Sequence, residues 1–233
     1  MELVIALVVA VAVSFAFRNA IKAHAWVFYL IATAMVAAFA ALSISGEYPT
    51  ALRPAYPYFQ RCLLGFGFFA VVMYIGVLPE GSKARRWLNP IRGELSIIAS
   101  LLTAGHVLNY LSSYIERFLA GYFGSSAAMA TSFAVALLLV ILLIPLAITS
   151  VNAIRRRMHA ASWKRLQLLA YPFFILIFVH LVFLLGPSAS APGQKAFTSV
   201  AIYTAVFGLY VVLRVARAVL DRRAAVRKAN ARA

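Results

Sequence analysis

Residues 127–149 read AAMATSFAVALLLVILLIPLAIT, a run without a single charged side chain. A hydrocarbon slab about 30 Å thick takes roughly 20 apolar residues of helix, so this stretch by itself predicts a helix that crosses a bilayer. Working outward, further apolar runs lie at about 3–17, 25–45, 59–78, 95–114, 166–185 and 197–219. Turn formers punctuate them: Gly46, Pro49, Pro54 and Pro57, then Pro79 and Gly81, Gly121 and Gly124, and finally Gly186, Pro187 and Pro192. The chain is 64% hydrophobic and 12% charged, where soluble domains run near half and a quarter. The excess is gathered into runs instead of being spread at the period of a core helix. The expected fold is an all-α, multi-pass protein of the cell membrane with seven spans and no large soluble domain.

Charge tests that partition. Numbering the loops alternately places Arg53, Arg61, Arg117 and Lys195 on one side and the other 18 of the 22 basic residues on the opposite side. Loops of membrane proteins that face the cytoplasm are enriched in Lys and Arg. A miscounted span would switch every later loop and destroy the bias. The expectation is therefore an N-terminus outside and a C-terminus in the cytoplasm. The same distribution explains the net charge of +16 without a nucleic-acid partner; the partner it implies is the lipid bilayer. Residues 1–24 read as an extra N-terminal helix and loop, uncleaved because Arg18 and Lys22 follow the apolar run instead of preceding it. Residues 25–220 read as a six-helix domain, and 221–233 as a short basic cytoplasmic tail. Cys62, the single cysteine, reads as a packing residue, and Tyr48, Tyr56, Tyr58 and Phe59 as an outer interfacial belt.

Polar groups at membrane depth are costly and each needs a reason. His106 precedes Ser112 by six residues, and His180 precedes Gly186 by six. Each imidazole is then about 9 Å below the outer end of its helix, and both helices run in the same direction. Two imidazoles at matched depth on parallel helices suit the axial ligation of one haem, which helix bundles hold on facing side chains. The competing reading makes each histidine a hydrogen-bonded polar contact, with Asn109, Ser112 or Thr103 as partner. His24 and His159 fall in loops and read as solvated.

The order of residues from Arg92 to Gly186 resembles the ferric-reductase-like transmembrane family, and within it the haem-binding membrane subunits called MsrQ or YedZ. The resemblance rests on Arg92 fourteen residues before His106, with Tyr110 following. Thr149 and Ser150 come next, then the basic run Arg155–Arg157, Trp163, Leu166, Gln167, Tyr171 and His180. It implies haem b, with His106 and His180 as its ligands and Arg92, Tyr110 and Gln167 as cofactor-site residues. Gln167 stands where the family carries a histidine. Arginine stays protonated and an amide is a poor iron ligand, so the expectation is one haem near the outer face and none near the inner. Arg92 could pair with a haem propionate, a quinone oxygen or a lipid phosphate, or serve as a basic anchor at a helix start.

The sequence carries no glycine-rich dinucleotide fingerprint, no Ser-His-Asp arrangement and no Cys/His metal cluster. The resemblance therefore implies an electron-transfer subunit rather than a complete enzyme. Its donor would be a quinol or a cytoplasmic flavin reductase, and its acceptor an extracytoplasmic redox protein. A non-redox membrane protein, such as a small transporter or an assembly scaffold, is the alternative. Reduction of ferric chelates at the outer surface is a third.

Overall fold

The computed structural model describes residues 1–46, 49–121, 127–189 and 195–230, which leaves Tyr48 and Gly124 outside the described residues. Those residues are helical, with no strand among them. Helices α1 (Glu2–Ala16), α2 (Arg18–Ala23) and α3 (Ala25–Ser45) open the chain, followed by α4 (Tyr56–Gln60), α5 (Leu63–Ile75) and α6 (Lys83–Leu88). Then come α7 (Arg92–Leu119), α8 (Ala127–Ser150), α9 (Asn152–Arg155), α10 (Ala160–Gln167), α11 (Ala170–Leu185) and α12 (Lys195–Asn230). Five spans are long and apolar enough to cross a membrane, and the bent pair that ends in α5 makes six. Helix α1 is apolar but only 15 residues long.

The centre of the bundle is α5. Nearly every one of its side chains is buried, from Leu63 to Ile75, as expected of a helix that is apolar all round. Around it pack α1, α7, α11 and α12, while α3 lies on α7 and α8 lies on both α7 and α11. Glycines permit close approaches between these helices. A Cβ at Gly67 would meet the Ala6 carbonyl oxygen at 2.9 Å, and one at Gly105 would meet Val36 Cγ1 at 2.5 Å. The α1 stripe Leu3, Ala6, Ala10 and Ser14 is accordingly buried. Outward-facing side chains are large and apolar: Ile141, Val212 and Leu108 are about two-thirds exposed. In water such a surface would aggregate; in lipid it is the side that faces the acyl chains.

Three segments depart from the sequence expectation. The run 59–78 is broken, since Cys62 adopts a left-handed backbone (φ 55°) between α4 and α5 and the elements on either side are bent by 46°. The fourth span starts at Arg92 and continues to Leu119, past the expected end near Tyr114. The sixth is divided, with α10 ending at Gln167 and α11 starting at Ala170. Pro172 therefore lies in the first turn of α11, where a missing N–H is tolerated, instead of kinking a continuous helix.

Candidate cofactor site

Each histidine is oriented by a main-chain carbonyl on a neighbouring element. His106 Nδ1 lies 2.6 Å from the Gln60 carbonyl oxygen. That oxygen ends α4 and, among the described residues, accepts no main-chain hydrogen bond, whereas the Pro57 and Phe59 carbonyls are capped by Arg61 and Cys62; the left-handed turn at Cys62 ends the helix there. His180 Nδ1 lies 2.9 Å from the Ser132 carbonyl oxygen and 3.1 Å from Ser132 Oγ. A carbonyl only accepts, so Nδ1 must carry the proton in both rings. The lone pair is then on Nε2, and among the described residues neither Nε2 has a hydrogen-bond partner.

The two rings sit at the same end of the bundle. Adjacent positions of α5 fix the register: Gly65 abuts Thr103 of α7, and Phe66 stacks on Phe174 of α11 at 6.3 Å. His106 is three residues beyond Thr103, and His180 six beyond Phe174, a height difference of about 5 Å at 1.5 Å per residue. His180 lies near enough to act electrostatically on His106. Helices α7 and α11 are not among the closely packed pairs; α5 and α8 lie between them. Both histidines are only half-buried by protein. Tyr110, one turn beyond His106, places its ring 5.0 Å from the imidazole, and its own ring neighbour is Tyr114 at 6.0 Å.

The alternative partners considered from the sequence are engaged elsewhere. Asn109 Oδ1 accepts from Ser43 Oγ at 2.6 Å, and Thr103 Oγ1 pairs with Cys62 Sγ at 3.3 Å; the Ser112 side chain lies outside the described residues. The real partners, Gln60 O and Ser132, left no mark in the sequence. One is a backbone atom, and the other is an ordinary serine in an apolar run.

Arg92 and Gln167 make no hydrogen bond to one another. Gln167 Nε2 donates to Thr149 Oγ1 at 3.2 Å, and Trp163 Nε1 donates to the Thr149 carbonyl at 3.0 Å. Ser150 Oγ reaches Ser96 Oγ of α7 at 3.4 Å. The Thr149–Ser150, Trp163 and Gln167 pattern thus forms a clamp that ties the end of α8 to α10 and α7. Arg92 instead faces Gly76, Tyr171, Tyr210, Arg85 and Arg214.

Residues 61–178, just over half of the chain, match the family model described as ferric reductase like transmembrane component. This chain belongs to the ferric-reductase-like transmembrane family. As such a family member it is a multi-pass membrane protein, and the matched segment contains Arg92, His106, Tyr110 and Gln167 and ends two residues before His180. An uncharacterized protein of Treponema pallidum is 39% identical over 161 residues, covering 67% of this chain and 43% of that protein. The protein-methionine-sulfoxide reductase heme-binding subunit MsrQ of Rhodospirillum rubrum is 26% identical over 140 residues, covering 59% of this chain and 62% of that subunit. The family member thus spans less than two-thirds of the length of either relative. No solved structure matches it. Among the described residues no group of three or more His, Cys, Asp or Glu side chains could hold a bare metal ion. A haem asks less of the protein, because the porphyrin supplies four of the six ligands. The donor set of two neutral imidazoles with free Nε2 atoms fits that requirement.

Proposed function

We propose that the chain is a cytochrome-b-type electron-transfer subunit in which His106 and His180 are the axial ligands of one haem b. The observation that carries this reading is the pair of Nδ1–H bonds to Gln60 O and Ser132 O, which turns both Nε2 lone pairs into available ligands. Ligating histidines are typically held through the second ring nitrogen in this way. When bound, the haem supplies one-electron redox chemistry; the protein supplies ligation, burial and distance. Tyr110 packs the exposed edge of the His106 ring and limits its rotation. Proton relay by these histidines in a transporter is less well served, because a relay needs Nδ1 free to exchange its proton, and both are committed to carbonyls.

The reading extends to number and direction. Gln167 is spent on Thr149 and Arg92 stays protonated, so the inner position lacks ligands and the chain holds one haem. Seven helices, with α1 as the extra first one ahead of a core at 25–220 and a tail at 221–233, put the histidines near the outer face. Electrons then enter from a quinol or a cytoplasmic flavin reductase and leave to an extracytoplasmic redox protein. That MsrQ is a heme-binding subunit supports the same class of role.

His106→Ala and His180→Ala are each expected to abolish stable haem binding, read as loss of the Soret and α bands in purified protein. His24→Ala and His159→Ala leave the spectrum unchanged. A normal low-spin spectrum in either intramembrane variant would remove that histidine from the ligand set and bring the transporter and scaffold readings forward. A cytoplasm-specific reporter fused after Ala233 should be active, and one in the 188–192 loop should be exported. Activity of both on one side would sink the seven-helix topology.

A further inference from the structure

The end of the bundle opposite the histidines holds a second polar site, built from different chemistry. Arg92 is the first residue of α7, fourteen residues and so about 21 Å along the helix from His106. Its guanidinium lies beside Gly76, where a Cβ would stand 3.9 Å from Nη2. The charges of Arg85 and Arg214 and the phenols of Tyr171 and Tyr210 all act on it. Arg214 reaches in from α12, its guanidinium carbon 4.8 Å from the centre of the Tyr171 ring.

Three carboxylates lie at this end, and all are taken. Glu94, in the first turn of α7, accepts from Asn152 Nδ2 at 3.1 Å. Arg217 holds Glu80 at 2.9 Å and Asp221 at 3.0 Å, and Arg85 shares Glu80 at 3.8 Å while donating to the Leu78 carbonyl at 3.0 Å. Among the described residues neither Arg92 nor Arg214 has a carboxylate partner. The hydroxyls of Tyr171 and Tyr210 likewise have no hydrogen-bond partner among them, and both oxygens reach open space, since no buried side-chain oxygen or nitrogen among the described residues is left unpaired. Like charges crowded at a membrane boundary repel unless something negative joins them. The partial positive charge at the start of α7 adds to the same field.

We propose that Arg92, Arg214, Tyr171 and Tyr210 form a binding site for a phosphate-type oxyanion. Two guanidinium groups offer forked donors matched to phosphate oxygens, and the two phenols supply O–H donors to the remaining lone pairs. A neutral quinone would leave both positive charges uncompensated; a phosphate monoester or diester neutralises them. The source is either the headgroup of an anionic phospholipid or a soluble phosphate compound. The site is separate from the histidines and does not depend on what they bind.

The full chain, purified and delipidated in detergent, is titrated with inorganic phosphate and followed by the ³¹P resonance. In parallel it is placed in nanodiscs of mixed phosphatidylglycerol and phosphatidylcholine, and the lipids retained on release are counted by native mass spectrometry. Selective retention of phosphatidylglycerol identifies a headgroup site; phosphate binding without that preference identifies a soluble ligand. Arg92→Gln and Arg214→Gln are each expected to weaken the observed binding about tenfold or more, as loss of a charge-assisted contact does. Arg92→Lys should be intermediate and Tyr171→Phe a few-fold weaker than wild type. Arg222→Gln and Arg223→Gln, exposed and further along α12, should match wild type. The haem bands should be unchanged in every variant. Wild type that holds neither probe above the level of the Arg92→Gln, Arg214→Gln double variant overturns the site, and that comparison needs no single variant to survive purification. Loss of haem from the arginine variants overturns it too, because the arginines would then be propionate partners.

Discussion

The two ends of α7 handle buried polarity in opposite ways. At the His106 end, the two histidines are each held on one side by a carbonyl that the backbone offers. At the Arg92 end, the neutral groups Thr149, Ser150, Trp163 and Gln167 satisfy each other, and among the described residues the guanidinium groups of Arg92 and Arg214 are left without a carboxylate. An imidazole with one nitrogen fixed and one free is a ligand for a metal centre. A guanidinium without a carboxylate is a ligand for an anion. On the two proposals, the same helix would carry one haem ligand at one end and one phosphate-binding arginine at the other.

The largest effect that would break this contrast lies in the clamp. Thr149→Val removes the acceptor of the Gln167 amide and should destabilise the protein by about 0.5–1.5 kcal/mol. Thermal unfolding in detergent would register it while the haem bands stay in place. A coupled loss of haem would show that the two ends are one cooperative unit rather than two sites. A smaller effect is expected at Ser132→Ala. The carbonyl of position 132 still accepts from His180 Nδ1, so haem content stays at the wild-type level. Removal of the hydroxyl oxygen 3.1 Å from Nδ1 makes the ring a slightly weaker donor to iron and raises the haem midpoint potential. A potential unchanged in redox titration would show that Oγ plays no part in tuning. The smallest effect is on haem number in Gln167→His. By the family resemblance the opposing ligand position is Arg92, and arginine cannot ligate, so pyridine haemochrome assays should still give one haem per chain. A value of two would overturn the one-haem reading.

Much of the fold was legible in the chain because the signal is one-dimensional. Apolar runs of twenty or so residues and the Pro/Gly punctuation between them depend only on sequence and the thickness of a bilayer. Breaks inside a span were not legible. Nothing in Phe59–Leu64 announces that Cys62 takes a left-handed turn, and the division between Gln167 and Ala170 contains only leucines. Both follow from packing against α7 and α8, where the chain must redirect side chains that a continuous helix would point elsewhere. The candidate ligands were legible as isolated histidines in apolar surroundings, a pattern with few cheap explanations. Their orienting partners were not, because a main-chain carbonyl has no residue type. Arg92 was legible as an anomaly, but Arg214 was hidden among the basic residues of the last helix and its tail.

By itself the sequence determined that the chain lives in a membrane, that it is helical, and that His106 and His180 are the intramembrane groups to explain. That Gln167 stands where the family has a histidine came from the resemblance and not from the residues alone. Only the tertiary structure decided which nitrogen of each imidazole is free, that Gln167 is bound to Thr149, and that among the described residues Arg92 and Arg214 are left without a carboxylate partner. The division has a physical cause. Partition into lipid is a sum over residues and survives in any arrangement of the helices. The tautomer of each histidine is set by single atoms from segments 46 and 48 residues away, and only packing brings those atoms into contact.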